Sequence, residues 1–467
     1  MPRQEYIVSI AVKGVFKMTA ITTHGLPVRR PYSRREFLKL SAMASAGFMA
    51  GCAINPVTGK KQLMLVSEDW EIQVDRQNSP HQFSTDYGKL QDEALNRYIQ
   101  QVGAAMIQHT HRPKMPYSFQ GVNATYINAY AFPGGSIAAT RGILLSLESE
   151  AALSALIGHE MGHVNARHTA EQMSKGTLIQ TIAGGISIYA GTKGDSYGQM
   201  ASIFGMLGSG ALLASYSRNN EREADRLGMT YMVNSGYGTE GIVQLMTMLN
   251  GLHKGDSGAV SLLFSTHPMS QERYNNAVSL ADFEFSHAKG QPLYRERYMD
   301  NTSGLRKIKT AIEKFQQAEE LMAKESYDKA EGSFKEGLKT APSDYAGLLM
   351  MAKCQYARKK YDQALSFSEQ AKQVYPREAQ ANHISGLSKI QLKKFDQAVE
   401  DFNSYQNKLP GNPNAIYYRG YAYEGMGNKQ KASEDYYPYL QQVTEGEQAK
   451  HAYQRLVEWG VIKQSGQ

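Results

Sequence analysis

A step of 34 residues constrains the last third of this chain more than any other feature. Ala330, Ala364, Ala398 and Ala432 fall at that step, as do Pro342, Pro376 and Pro410, and Gly386 and Gly420. Three of the alanines carry an aromatic residue three positions earlier, in Tyr327-Asp-Lys-Ala330, Tyr361-Asp-Gln-Ala364 and Phe395-Asp-Gln-Ala398. Residues three apart share a helix face, and a unit of this length holds two helices. One helix pair cannot bury its apolar face alone, so the units must stack, leaving a curved surface for a protein or peptide partner. About four units are expected over 308–442, closed by a capping helix from Glu445 to Trp459. Tyr417, Tyr418, Tyr421 and Tyr423 fit either the concave face or the core, and their spacing favours the core.

These units resemble tetratricopeptide repeats, which implies a docking α-solenoid. The net charge of +7 suggests an anionic partner until its distribution is read: residues 1–51 hold eight basic residues against Glu5 and Glu36, leaving +1 for the rest. Nucleic acid is therefore not expected as a partner. Ser33-Arg34-Arg35-Glu36-Phe37-Leu38-Lys39 precedes a short apolar stretch ending in Met49-Ala50-Gly51-Cys52. The stretch is too short to span a bilayer, and the pattern reads as an export signal of the twin-arginine type with a lipobox, so residues 1–51 are expected to be removed and Cys52 lipidated. Ala53 follows that cysteine, which tilts the anchor toward the outer membrane. Cys354 then has no intramolecular partner, and no disulfide is expected.

The chemistry is expected in the middle of the chain. Ala152, Leu153, Leu156 and Ile157 recur at helical spacing and lead into His159-Glu160-Met161-Gly162-His163. Imidazoles at i and i+4 on one helix face bind a single Zn²⁺, and Glu160 is placed to act as general base on the attacking water. Two ligands are too few for a catalytic zinc, which takes three plus an open position. Ala166 and Thr169 stand where an extended motif would carry its Gly and third His. A second helical pattern, Ser217 to Gly228, places Glu221 and Asp225 on one face. Glu221 is the third ligand in this reading, with Glu223 as the lesser alternative, and Asp225 is placed to accept the outer N–H of a ligating histidine. His168, five residues after His163, reads as a surface or supporting residue.

His159-Glu160-Met161-Gly162-His163 with Glu221-Arg222-Glu223-Ala224-Asp225 resembles the gluzincin metallopeptidases of family forty-eight, the CAAX prenyl protease and HtpX type. Asn128-Ala129-Tyr130-Ala131-Phe132-Pro133-Gly134-Gly135 resembles the family's active-site strand, and Ser265-Thr266-His267-Pro268 with Arg273 its later His-Pro segment. The resemblance implies one Zn²⁺ per chain and an edge strand that pairs with an extended, unfolded substrate. It implies a supporting role for Arg273, and for His267 either oxyanion stabilisation or a fourth zinc bond that silences the enzyme.

The expected fold is mostly α with a small β-sheet: a zincin-type metalloprotease domain over 52–285, a linker over 286–304 and an α-solenoid over 305–462. The expected function is that of a lipid-anchored periplasmic zinc endopeptidase, acting on unfolded or misassembled envelope proteins. The repeats would dock a client or the outer-membrane assembly machinery. The competing reading is a chaperone or assembly adaptor whose zinc is latent or structural. Apolar runs between Thr177 and Ser215 are too short to span a membrane and read as core packing, or as short helices over the cleft or on a lipid surface.

Overall fold

The computed structural model describes residues 52–59, 61–64, 66–174, 216–253 and 261–463. The leader through Gly51 and the apolar runs of 177–215 lie outside the described residues. Cys52–Gln467 forms one compact unit. It begins with an antiparallel ribbon, β1 (Cys52–Ile54) with β2 (Lys61–Leu63). Helices α1 (Glu68–Thr85) and α2 (Glu93–Met106) follow, N-capped by Ser67 and Asp92. The apolar face of α2 is carried by Leu95, Ile99, Val102 and Met106. Ala94, which helical spacing also allows, is exposed.

A three-stranded sheet comes next, from β3 (Ser118–Val122), β4 (Ala129–Ala131) and β5 (Ser136–Thr140), in the order β3-β5-β4. β3 runs parallel to β5 and β4 antiparallel to it, so β4 is an edge strand among the described residues. The free side of β3 is closed instead: Asn96 Oδ1 and Gln100 Oε1 of α2 accept the Gly121 and Phe119 N–H groups at 2.9 Å each.

The short helix α3 (Arg141–Ser146) leads into α4 (Glu150–Asn165), which is buried along its whole length. Around it stand α5 (His168–Ser174), α6 (Arg218–Asn234), α7 (Glu240–His253), α8 (Ser261–Thr266) and α9 (Gln271–Ser279). The connection to the repeats contains α10 (Arg295–Asn301) and α11 (Ser303–Lys307). α10 packs into the core of the N-terminal domain through Tyr298, whose hydroxyl donates to the Leu144 carbonyl at 2.6 Å.

The repeats form four helix pairs: α12 (Lys309–Ala323) with α13 (Tyr327–Thr340), α14 (Tyr345–Ala357) with α15 (Tyr361–Val374), α16 (Gln380–Gln391) with α17 (Phe395–Lys408), and α18 (Pro413–Gly425) with α19 (Lys429–Leu440). The four periodic alanines have no exposed surface, which explains why only a small residue recurs there. Helix α20 (Glu447–Glu458) covers the last pair with Ala449, Ala452 and Leu456, over Tyr417, Tyr436 and Tyr439. The tyrosines of α18 divide: Tyr417 is core, whereas Tyr421 is exposed.

The first repeats clasp the N-terminal domain. Glu319 of α12 accepts from Tyr87 and Thr125 hydroxyls, and Gln316 donates to the Thr125 carbonyl at 2.6 Å. Arg141 forms a two-pronged ion pair with Asp344, both nearly buried. Lys353 lies 4.8 Å above the Tyr87 ring, and Ser84 donates to Glu378. Tyr87 and Gly88 take φ of 64° and 76° to make this contact. A Cβ on Gly88 would fall 2.7 Å from Glu378 Cγ and 2.9 Å from Tyr375 Cε1, so only glycine admits the repeats this closely. Part of the surface expected to receive a partner is thus occupied within the chain.

Candidate metal centre

The centre depends on α4 and α6 approaching until their backbones touch. Ser149 caps α4 through the Ala152 N–H, and Ser217 with Asn220 forms a capping box that starts α6. At the crossing the sequence is small on both sides. A Cβ on Gly228 would lie 2.6 Å from the His159 nitrogen, and one on Gly162 would lie 2.9 Å from Ala224 Cα. This contact brings Glu221, no longer than any glutamate, to the two imidazoles.

His159 Nε2 and His163 Nε2 stand 3.1 Å apart. Glu221 Oε1 lies 3.4 Å from His163 Nε2, and Oε2 lies 3.6 Å from His159 Nε2. A fourth donor enters from the end of α8: His267 Nδ1 is 3.1 Å from Glu221 Oε1 and 3.4 Å from His159 Nε2. All four residues are buried, and one donor atom from each lies within 4.8 Å of the others. Tetrahedral zinc with bonds of about 2.0–2.1 Å requires donor separations of roughly 3.3 Å. The donor set fits such an ion.

A supporting layer fixes these groups. Asp225 Oδ1 is 2.8 Å from His159 Nδ1, which leaves Nε2 facing the centre. Arg273 grips Asp225 with two hydrogen bonds of 2.7 and 2.9 Å and reaches Glu221 Oε2 at 2.6 Å. Burial alone would raise the Glu221 pKa. The charges of His267 and Arg273 and hydrogen bonds from the histidines outweigh it and hold this carboxyl well below the usual range. Glu160 shifts the other way: burial outweighs the neighbouring cations and raises it. Its Oε2 has no hydrogen-bond partner among the described residues.

Of the two places open to His168 in the sequence, surface or support, the structure gives support: it is buried, with Nδ1 at 2.9 Å from His163 Nδ1 and Nε2 at 3.2 Å from Glu223 Oε2. Helix α4 has ended before it, and Arg167 at φ 58° turns the chain back, so helical spacing does not apply. Glu223 accordingly sits on His168 rather than among the four donors. Tyr216 stacks on His163 at a ring separation of 3.7 Å and pairs its N–H with the Thr266 carbonyl at 3.0 Å. Its only sequence signal was its place beside the capping Ser217.

The strand singled out in sequence lies next to Glu160. Ala129, Tyr130 and Ala131 form β4, and Phe132-Pro133-Gly134-Gly135 turns into β5, with Gly135 at φ 100° and its N–H bonded to the Phe132 carbonyl at 3.0 Å. Ala129 and Ala139 pack close to Glu160 with no space for a water between them. The Asn128 side chain is buried, and neither its oxygen nor its nitrogen has a partner among the described residues. Beside His159, Glu160 and His267 opens a recess with apolar walls from Leu245, Met246, Leu249 and Phe264.

Residues 93–281, which contain every donor and supporting group named above, match the sequence profile of peptidase family M48. The chain carries an M48 peptidase domain. The M48 domain is followed by tetratricopeptide repeats, matched over 321–384. Among curated proteins, a putative beta-barrel assembly-enhancing protease of Vibrio cholerae serotype O1 is 30% identical over 193 residues, covering 40% of this chain and 39% of the relative. The beta-barrel assembly-enhancing protease of Escherichia coli K12 is 27% identical over 196 residues, covering 41% of this chain and 40% of the relative. The mitochondrial metalloendopeptidase OMA1 of Arabidopsis thaliana is 27% identical over 184 residues, covering 39% and 36%. The matched segment thus spans about two fifths of the length of these relatives.

Proposed function

We propose that this chain is a zinc-dependent endopeptidase of the bacterial envelope that acts on unfolded or misassembled envelope proteins, with its repeats docking a partner or client. The observation that carries the reading is the convergence of His159, His163 and Glu221 from two helices beside a carboxylate, Glu160, that has an oxygen unpaired among the described residues. These three residues would hold the ion, and Zn²⁺ in such a site makes water nucleophilic at neutral pH and polarises a carbonyl. Glu160 takes the proton from the attacking water and delivers it to the leaving amine. Asp225 and Arg273 keep His159 and Glu221 aimed, and β4 offers its outer edge to an extended peptide. Such pairing requires unfolded substrate, because a folded chain has already paired its backbone.

In the described arrangement His267 stands with the three ligands, where an open position is needed for hydrolysis. This supports a silenced state from which His267 must withdraw. It also keeps alive the second reading, a chaperone or adaptor with latent zinc. Export through the leader, a lipid anchor on Cys52 and outer-membrane placement belong to the proposal. Among the described residues no helix is long and apolar enough to cross a membrane. Outer-membrane protein quality control enters from the name carried by the relatives. The test is degradation of a denatured outer-membrane protein by the wild type, Glu160→Gln and His267→Ala. Loss in the first variant and a gain in the second support the peptidase; equal turnover by the wild type and both variants leaves the adaptor.

A further inference from the structure

A groove of about 500 Å³ runs along the seam between the peptidase domain and the repeats, apart from the metal centre. Its walls are α1 and the ends of β3 and β5 on one side, and the turns after α15 and α17 on the other. Four cations line it, Arg76, Lys89, Arg377 and Lys408, and all four are exposed. Arg76, Lys89 and Arg377 form no ion pair among the described residues, and Lys408 bonds only the neutral Asn382 side chain, at 2.7 Å. The two acidic liners answer this charge only in part, through Glu378 acting on Lys408. Asp75 is buried and accepts the Ser136 N–H at 2.9 Å. Glu378 is buried and accepts from the Ser84 hydroxyl and, at 2.7 Å, from the Ala379 N–H. Gln120, also buried, lines the groove with an amide nitrogen that has no acceptor among the described residues. The floor is fixed by Gly88, where the two domains interlock.

The exposed charge of the groove is therefore of one sign, and three of its four cations, Arg76, Lys89 and Arg377, have no ion-pair partner among the described residues, while the acidic liners are turned to internal bonds. We infer that this groove binds an acidic stretch of polypeptide in extended form. Its cations are drawn from both domains, from α1 on one side to the ends of α15 and α17 on the other, and suit carboxylates spaced along a chain. The site is an exosite: it holds a chain away from the metal centre and leaves the cleavage chemistry untouched. The inference does not rest on the peptidase reading, because binding is read separately from cleavage.

The test uses the full mature chain carrying Glu160→Gln, so that no probe is consumed. Fluorescence anisotropy is measured with a labelled peptide of alternating Glu and Ser and with its Gln/Ser counterpart. The acidic peptide binds, more weakly as salt rises, and the neutral peptide does not. Arg76→Glu with Arg377→Glu weakens binding by about tenfold or more, whereas a charge reversal at the exposed Lys450 of α20 leaves it unchanged. Equal binding of both peptides, or unchanged affinity in the groove double variant, overturns the inference. So does retention of the protein by phosphatidylglycerol vesicles but not by the acidic peptide, since the groove would then serve a lipid surface. Far-ultraviolet circular dichroism of each variant separates loss of the site from loss of fold. A chain that binds the acidic peptide but cleaves nothing, either as wild type or as His267→Ala, would refute the proposed function and leave this inference standing.

Discussion

Asp225 shows how much of this centre depends on residues that hold no metal. Its carboxylate stands 2.8 Å from the outer nitrogen of His159 and is itself clamped by Arg273. Removing such a partner typically lowers metal affinity ~10–100-fold. We therefore expect Asp225→Ala to release zinc to a chelator at concentrations that leave the wild type loaded, with the helices intact by circular dichroism. Unchanged zinc affinity would show that His159 is oriented by packing alone. At this scale the sequence was legible where chemistry is tied to helical spacing, as for His159, His163, Glu221 and Asp225. It was opaque where one backbone angle overrides the spacing. His168 lies against His163 only because Arg167 adopts a left-handed conformation, which no residue pattern announces.

At the scale of elements, the decisive contact is the crossing of α4 and α6. Both helices present glycine at the closest point, and a methyl group on Gly228 would meet the backbone of His159 and Gly158 at 2.6–2.8 Å. Backbone on both sides cannot rotate away, so the helices must separate. We expect Gly228→Ala to cost about 1–3 kcal/mol in urea denaturation and to lower the zinc content of the purified protein together with its stability. Full stability with full zinc would mean that the crossing tolerates a wider separation than the ligand geometry implies. The repeats were the most legible elements, since a 34-residue step carried by alanines survives any local ambiguity. The connection after 285 was less legible: its polar composition resembles a linker, yet Tyr298 is fully buried beneath it.

At the scale of the whole molecule, the clasp between the peptidase domain and the repeats was not legible at all. Its partners are far apart in sequence, Tyr87 with Glu319 and Arg141 with Asp344, and each residue type is ordinary on a surface. The clasp carries a pH signature. Burial raises the Glu378 carboxyl from 4.5 to about 7, against hydrogen bonds from Ser84 and the Gln380 and Ala379 backbone that lower it. The folded state then holds a proton that the unfolded state has lost, so this group's contribution is complete below pH 4.5 and is lost as pH rises through about 7. Burial lowers Lys353 from 10.5 to about 8, so its opposite effect falls at higher pH. Urea midpoints measured from pH 4.5 to about 7 should fall more steeply in the wild type than in Glu378→Gln. Parallel slopes would remove Glu378 from the account.

The central claim is that one divalent ion is held by side chains from α4 and α6. Anomalous X-ray diffraction at the zinc edge from crystals of the protein tests it most directly. The account predicts one peak per chain, within about 2.0–2.2 Å of nitrogens of His159 and His163 and of a Glu221 oxygen. A peak elsewhere, or one touching the histidines but not Glu221, would contradict it.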